Sequence, residues 1–205
     1  FSTKLITTGL LNNTRAAMTP TSWNDLTKPE AKGQVTMPSP LTSGAALVHL
    51  ATLTQNPDFG WAYYEKLAEN SAIASGGNGG ILKSVAGGEK AYGVIVDFLP
   101  IREAAKGAPV NFTFPQEGVS AVTEPVAILS TAKNPDAAKA FVDFLLSEEG
   151  QKLAVSQGYL PARDGIEAPE GFPKRDAIKL MPFNAAKALA DEEANKKRFS
   201  ELFGG

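Results

Sequence analysis

Val35-Thr36-Met37-Pro38-Ser39-Pro40-Leu41-Thr42-Ser43-Gly44-Ala45 reads as a strand, a stop and a helix start. Three apolar or β-branched residues make the strand, and the two prolines end it. Thr42-Ser43-Gly44 then opens an apolar helix over 45–55, with a hydroxyl where a helix cap belongs. The first turn of a helix carries N–H groups without internal partners, and its dipole adds positive potential there. Small residues let an anion approach those groups, and the Thr42 and Ser43 hydroxyls can add donors. A cap serving only its own backbone fits the same pattern.

Working outward, strands and helices alternate. Upstream, 1–13 mixes β-branched and apolar residues up to a turn at Asn12-Asn13, and 21–26 suits a short capped helical turn. Downstream, Asn56-Pro57 restarts the chain into a helix over 58–69, whose Trp61, Tyr64 and Leu67 recur at helical spacing and pack it onto a sheet. Ile73 begins a short strand before Ser75-Gly76-Gly77-Asn78-Gly79-Gly80, and a helix follows over 81–86. The nearly continuous apolar run 91–98 reads as a buried strand, 110–114 and 119–129 as further strands. Asn134-Pro135 and Ser147-Glu148-Glu149 start two helices, and a last helix spans 184–202. The alternation predicts an α/β fold.

Composition narrows the function. The 205 residues are 43% hydrophobic and 20% charged with a formal net charge of -2, which disfavours nucleic-acid partners. The absence of cysteine removes disulfides, thiolate nucleophiles and cysteine metal sites. His49 is the single histidine and sits among Leu47, Val48 and Leu50, a packed position; zinc hydrolase sites and serine triads therefore do not fit. No cofactor is expected. The chain starts within a strand without a leader segment, so a processed or truncated form is expected.

Three further candidates carry chemistry. The glycine-rich loop around Asn78 permits close backbone approach and offers an amide, although a flexible surface loop would look the same. Asp97 stands at the carboxyl end of the hydrophobic run 93–96, where ligands of open α/β sheets sit; it could accept hydrogen bonds from a hydroxyl or amine, or cap the turn before Pro100. Glu117 and Glu124 flank another apolar stretch; an enzyme using either as a base lacks a visible nucleophile or metal cluster.

These pieces occur in a familiar order. Trp23-Asn24-Asp25-Leu26, Lys32 to Pro38, Thr42-Ser43-Gly44, Gly88 to Gly93, Lys106 to Gly118 and Ala132 to Gln151 together resemble the ferric-binding-protein-like receptors of ABC transporters. The resemblance implies a periplasmic-binding-protein type II fold, two α/β lobes that close on a solute. It implies an extracytoplasmic, periplasmic receptor handing a small anionic solute to a membrane permease. Ser43, Gly44 and Ala45 would hold the anion, with Thr42 beside them, and Asn78 would contact the solute. Iron-binding members carry paired tyrosines where this chain has Phe98-Leu99, so the sequence is nearer the organophosphate and phosphonate branch. There Asp97 would bind a hydroxyl or amine, with Glu124 as a further polar contact. A ferric receptor, or a self-associating structural fragment, is the alternative. Family members have on the order of a hundred residues before this segment. The expected organisation is therefore 1–9 as a crossover strand, 10–114 as a complete second lobe, and 115–205 as the C-terminal portion of the first lobe, whose incomplete surface could self-associate.

Overall fold

Lys4–Asn13 forms one long strand, β1, buried along nearly its whole length. A computed structural model describes residues 1–204, and they divide into two units. One comprises Phe1–Ile6 and Val122–Ile178; the other comprises Thr7–Ala121 and the residues from Lys179 on.

The larger unit is built on five strands in the order β3-β2-β4-β1-β5, with β2 at Val35–Met37, β3 at Ile73–Ala74, β4 at Tyr92–Val96 and β5 at Val110–Thr113. β2 runs parallel to β3 and β4, whereas β1 is antiparallel to β4, pairing Thr8 with Val96, and to β5. Successive side chains of a strand face opposite ways. Leu10, Tyr92 and Val94 accordingly enter a core with helices α1 (Gly44–Gln55) and α2 (Gly60–Glu69), through Leu50, Tyr64 and Leu67. Leu11 and Ile95 enter the opposite core with Ile81 and Val85 of α3 (Asn78–Ala86). Helices thus cover both faces of the sheet, which is why its strands read as continuous apolar runs. Helix α4 (Phe98–Ala105) follows β4 directly.

Several boundaries differ from expectation. Strand β6 covers only Ser120–Val122, because Glu124 takes a φ of 44° and Pro125 follows. The last expected helix is two, α7 (Ala185–Ala190) and α8 (Glu192–Phe203), meeting at Asp191. The sequence reading grouped 115–205 with the first lobe; in the structure 115–121 and the residues from Lys179 on group with the larger unit. Phe199 is the reason for the latter: it is buried, packs edge-on to Tyr64 with ring centroids 6.0 Å apart, and carries α8 with it.

The smaller unit contains the start of β1, helices α5 (Pro135–Leu146) and α6 (Glu148–Ser156), and the short strand β7 (Leu160–Pro161), which pairs antiparallel with Lys4-Leu5. Buried Gln151 is its hub. Its amide donates to the carbonyls of Thr3 (2.7 Å) and Leu145 (2.8 Å), and its oxygen accepts from the N–H of Ala162 (2.7 Å).

Candidate functional site

The three parallel strands β3, β2 and β4 end side by side, and each leads into a helix. After β2 the chain turns tightly: the Thr42 and Ser43 N–H groups both donate to the Ser39 carbonyl, at 3.2 and 2.9 Å. Ser43 is the cap of α1, in extended conformation, and its Oγ accepts from the Ala46 N–H at 3.3 Å. The loops after β2 and β3 are laced together, since the Ser39 N–H and the Thr42 hydroxyl both donate to the Gly76 carbonyl, at 3.1 and 3.3 Å.

What the helix starts leave over is a set of donors. In α1 the Gly44 and Ala45 N–H groups have no helical acceptor, and Gly44 is exposed, with nothing within 4 Å of where a Cβ would stand. In α3 the Gly80 and Ile81 N–H groups are already taken up by the Gly77 carbonyl. Those of Asn78 and Gly79 are left over, again beside open space at Gly77 and Gly79. Sequence reading started α3 at Ile81 and so missed this second pair of amides. Paired glycines, poor helix formers, hid them; the signal that could have found them is Gly77 standing at a cap position.

Asn78 joins the two helix starts. Its Oδ1 accepts from the Val96 N–H at the end of β4 (3.0 Å), and its Nδ2 reaches Ser43 Oγ at 3.4 Å. The structure therefore brings Thr42, Ser43, Gly44, Ala45 and Asn78 together in one half-exposed surface region.

Of the two roles read for Asp97, open acceptor or cap, the structure has the cap. Its carboxylate is buried, not open to a solute: Oδ2 accepts from the Thr7 N–H (2.8 Å) and the Thr7 hydroxyl (2.7 Å), and Oδ1 from the Phe98 N–H (2.7 Å). Burial raises its pKa to about 6 even though these three donors pull the other way. Glu124 belongs to the smaller unit, where its carbonyl accepts from Thr3 and its carboxylate stands 4.0 Å from the Lys4 ammonium. Glu117 accepts from the Ser22 hydroxyl and the Trp23 N–H, supporting the helical turn Trp23–Thr27. The two carboxylates have separate structural partners. His49 is packed against Trp23 at 4.6 Å and bonded to Ser120 Oγ at 3.0 Å, and burial depresses its pKa to about 3.

Among the described residues no group of three His, Cys, Asp or Glu side chains is placed to hold a metal ion. Among the described residues no helix is long and apolar enough to cross a membrane. Phe98 opens α4, and Leu99 packs against the core containing Ile95.

The chain is similar to several known proteins. The solved structure of the periplasmic binding protein AfuA from Actinobacillus pleuropneumoniae, with fructose-6-phosphate bound, matches with a TM-score of 0.84 and 27% identity, over 98% of this chain and 67% of that one. The fold is periplasmic-binding-protein type II. The spermidine/putrescine-binding periplasmic protein 1 of Haemophilus influenzae is 31% identical over 75% of this chain and 44% of its own length. The phosphoglycerate transport regulatory protein PgtC of Salmonella typhimurium is 28% identical over 88% of this chain and 46% of its own. The chain thus spans about half the length of the curated relatives it matches. A sequence profile described as bacterial extracellular solute-binding protein matches residues 7–189. With that match covering most of the chain, this protein belongs to the bacterial extracellular solute-binding protein family.

Proposed function

We propose that the protein is the extracytoplasmic receptor of an ABC importer. It binds the anionic group of a phosphorylated or phosphonate solute at the starts of α1 and α3 and delivers the solute unchanged to a membrane permease. One observation carries this reading. Four N–H groups, of Gly44, Ala45, Asn78 and Gly79, are left unpaired at two helix starts that Asn78 fastens together. Two dipoles and four donors suit a multidentate anion such as a phosphoryl group. The relatives named for phosphoglycerate transport and solved with fructose-6-phosphate support the same class. Ser43 and Thr42 complete the cradle as cap and rim. Asp97 is left out of the direct contacts because its oxygens are already shared among Thr7 and Phe98. Self-association of this chain is proposed through the smaller unit, where Phe141, Phe144 and Leu153 are exposed at 60%, 44% and 49%.

The test is calorimetry of the full-length protein with fructose 6-phosphate, phosphoglycerate, inorganic phosphate and spermidine. Binding of the phosphorylated compounds with spermidine silent is the expected outcome; spermidine binding with every anion silent would overturn it. Gly44→Pro sharpens the assignment. Proline is tolerated at the first helical position, removes one N–H, and suits the extended conformation of Ser43 before it. Loss of one hydrogen bond to a charged group predicts roughly tenfold weaker binding with unchanged thermal stability.

A further inference from the structure

We infer that Asp97 is a positioning residue of the anion cradle, acting through Thr7 and a hydrogen-bonded relay that runs from Val96 through Asn78 to Ser43. The inference rests on the anion reading given above. It begins from the way β4 ends. Thr8 pairs with Val96, so Thr7 and Asp97 would form the next rung of the antiparallel ladder. Half of that rung is ordinary: the Asp97 N–H donates to the Thr7 carbonyl at 2.9 Å. The other half is not. The Thr7 N–H donates to the Asp97 carboxylate instead of to its main-chain carbonyl, and the Thr7 hydroxyl donates to the same oxygen.

This substitution ends the strand. The main-chain carbonyl of Asp97 is released from the sheet, so the backbone turns helical at once, with φ -58° and ψ -52°, and its carbonyl accepts from Ile101 in the first turn of α4. The other carboxylate oxygen caps Phe98. Strand β4 therefore ends at a defined residue. A separate feature lies on the opposite edge of β4. Pairing with β2 reaches only Thr36 and Gly93, so the Val96 N–H has no strand partner on that side, and Asn78 Oδ1 takes it. Asn78 in turn reaches the cap Ser43, whose Oγ accepts from Ala46. Val96 is the chain neighbour of Asp97, so the contacts that hold Asp97 to Thr7 also hold the N–H to which Asn78 is bonded, and Asn78 joins the two helix starts. Thr7 and Asp97 are both buried, so neither needs to touch the solute to affect it.

The experiment uses three variants of the full-length protein. Thr7→Val removes the hydroxyl but keeps the branched shape, Thr7→Ser keeps the hydroxyl, and Asp97→Asn replaces one carboxylate oxygen by a donor. Two readouts are taken: amide hydrogen exchange at Val96, Phe98 and Ala46 without solute, and calorimetric affinity for inorganic phosphate. The expected result is that Thr7→Val and Asp97→Asn each speed exchange at Val96 and Ala46 by tenfold or more and weaken phosphate binding about tenfold. Thr7→Ser should leave both near wild type, and the double variant should be no worse than Asp97→Asn alone. Two results would overturn the inference. Loss of phosphate binding in Asp97→Asn with Thr7→Val unaffected would make Asp97 a direct ligand. Faster exchange confined to Phe98, with affinity intact, would reduce Asp97 to a cap of α4. If the wild-type protein binds no phosphate, the anion reading fails by itself, and exchange at Val96 and Ala46 still decides the relay.

Discussion

His49 and Asp97 are both buried in the larger unit, and their titrations pull the stability curve in opposite directions. Asp97 moves from 3.8 to about 6 on folding, so the folded state holds the proton more tightly and stability rises as pH falls from 6 toward 4. Two units correspond to about 3 kcal/mol. His49 moves from 6.5 to about 3, so the unfolded state holds the proton more tightly and stability falls as pH drops below 6.5. Over the same span that loss is also about 3 kcal/mol. The wild-type protein should therefore show a nearly flat stability between pH 6 and 4, with acid unfolding setting in below. Asp97→Asn removes one arm: urea unfolding of that variant should lose about 3 kcal/mol between pH 6 and 4. A variant as flat as wild type would sink this account. The helix start at Ser43-Gly44-Ala45 was legible because capping residues and small side chains are local features. The burial of Asp97 was not legible because its partner, Thr7, lies ninety positions away in the chain and only the β1–β4 pairing brings them together.

At the scale of elements, glycines with the same local sequence character behave in opposite ways. Gly150 lies in the first turn of α6, where a Cβ would overlap the Phe144 carbonyl oxygen and stand 3.0 Å from the Leu145 Cα. Ser147 is at once the last cap of α5 and the first cap of α6, so the two helices cannot slide apart to make room. Gly150→Ala should cost about 2 kcal/mol or more, as overpacking against backbone does. Gly79, in the first turn of α3, faces open space, and Gly79→Ala should stabilise by about 0.5 to 1 kcal/mol through helix propensity. Denaturant midpoints, followed for Gly150→Ala by a probe in α6 and for Gly79→Ala by a probe in α3, should move in opposite directions, and a shared direction would count against the packing at the α5–α6 corner. Element identity was legible wherever caps and periodicity agreed, as at Asn134-Pro135, which starts α5 as expected. It failed where a backbone feature with no compositional mark decides. Glu124 at positive φ truncates an apolar stretch that reads as strand, and Phe98 begins a helix inside an apolar run because Asp97 ends the strand with its side chain.

On the scale of the whole molecule, the two units differ in how much apolar surface each buries. Both hydrophobic clusters, one around Leu10, Trp23 and Tyr64 and the other around Leu11, Ile81 and Ile95, lie within the larger unit. In the smaller unit the large buried side chains are Leu5, Ile6, Val142, Leu160 and Ile178, while Leu129, Phe141, Phe144 and Leu153 are exposed. Its order leans on polar connections, above all the Gln151 hub. Burial of apolar area is the main favourable term in folding, so the free energy of opening should be lower in α5 and α6 than in the sheet. Native-state hydrogen exchange of the 205-residue chain tests this. Amides of α5 and α6 should exchange by sub-global opening, with little dependence on the global unfolding midpoint. Those of Leu10, Leu11, Val94 and Ile95 should exchange only with complete unfolding. Gln151→Ala should widen the gap by lowering protection in α5, α6 and β7 alone, because it leaves the Thr3 and Leu145 carbonyls and the Ala162 N–H without their partner. Equal protection in both units, falling together in Gln151→Ala, would mean that the chain unfolds as one cooperative body and that the sparse apolar core of the smaller unit is no guide to its stability.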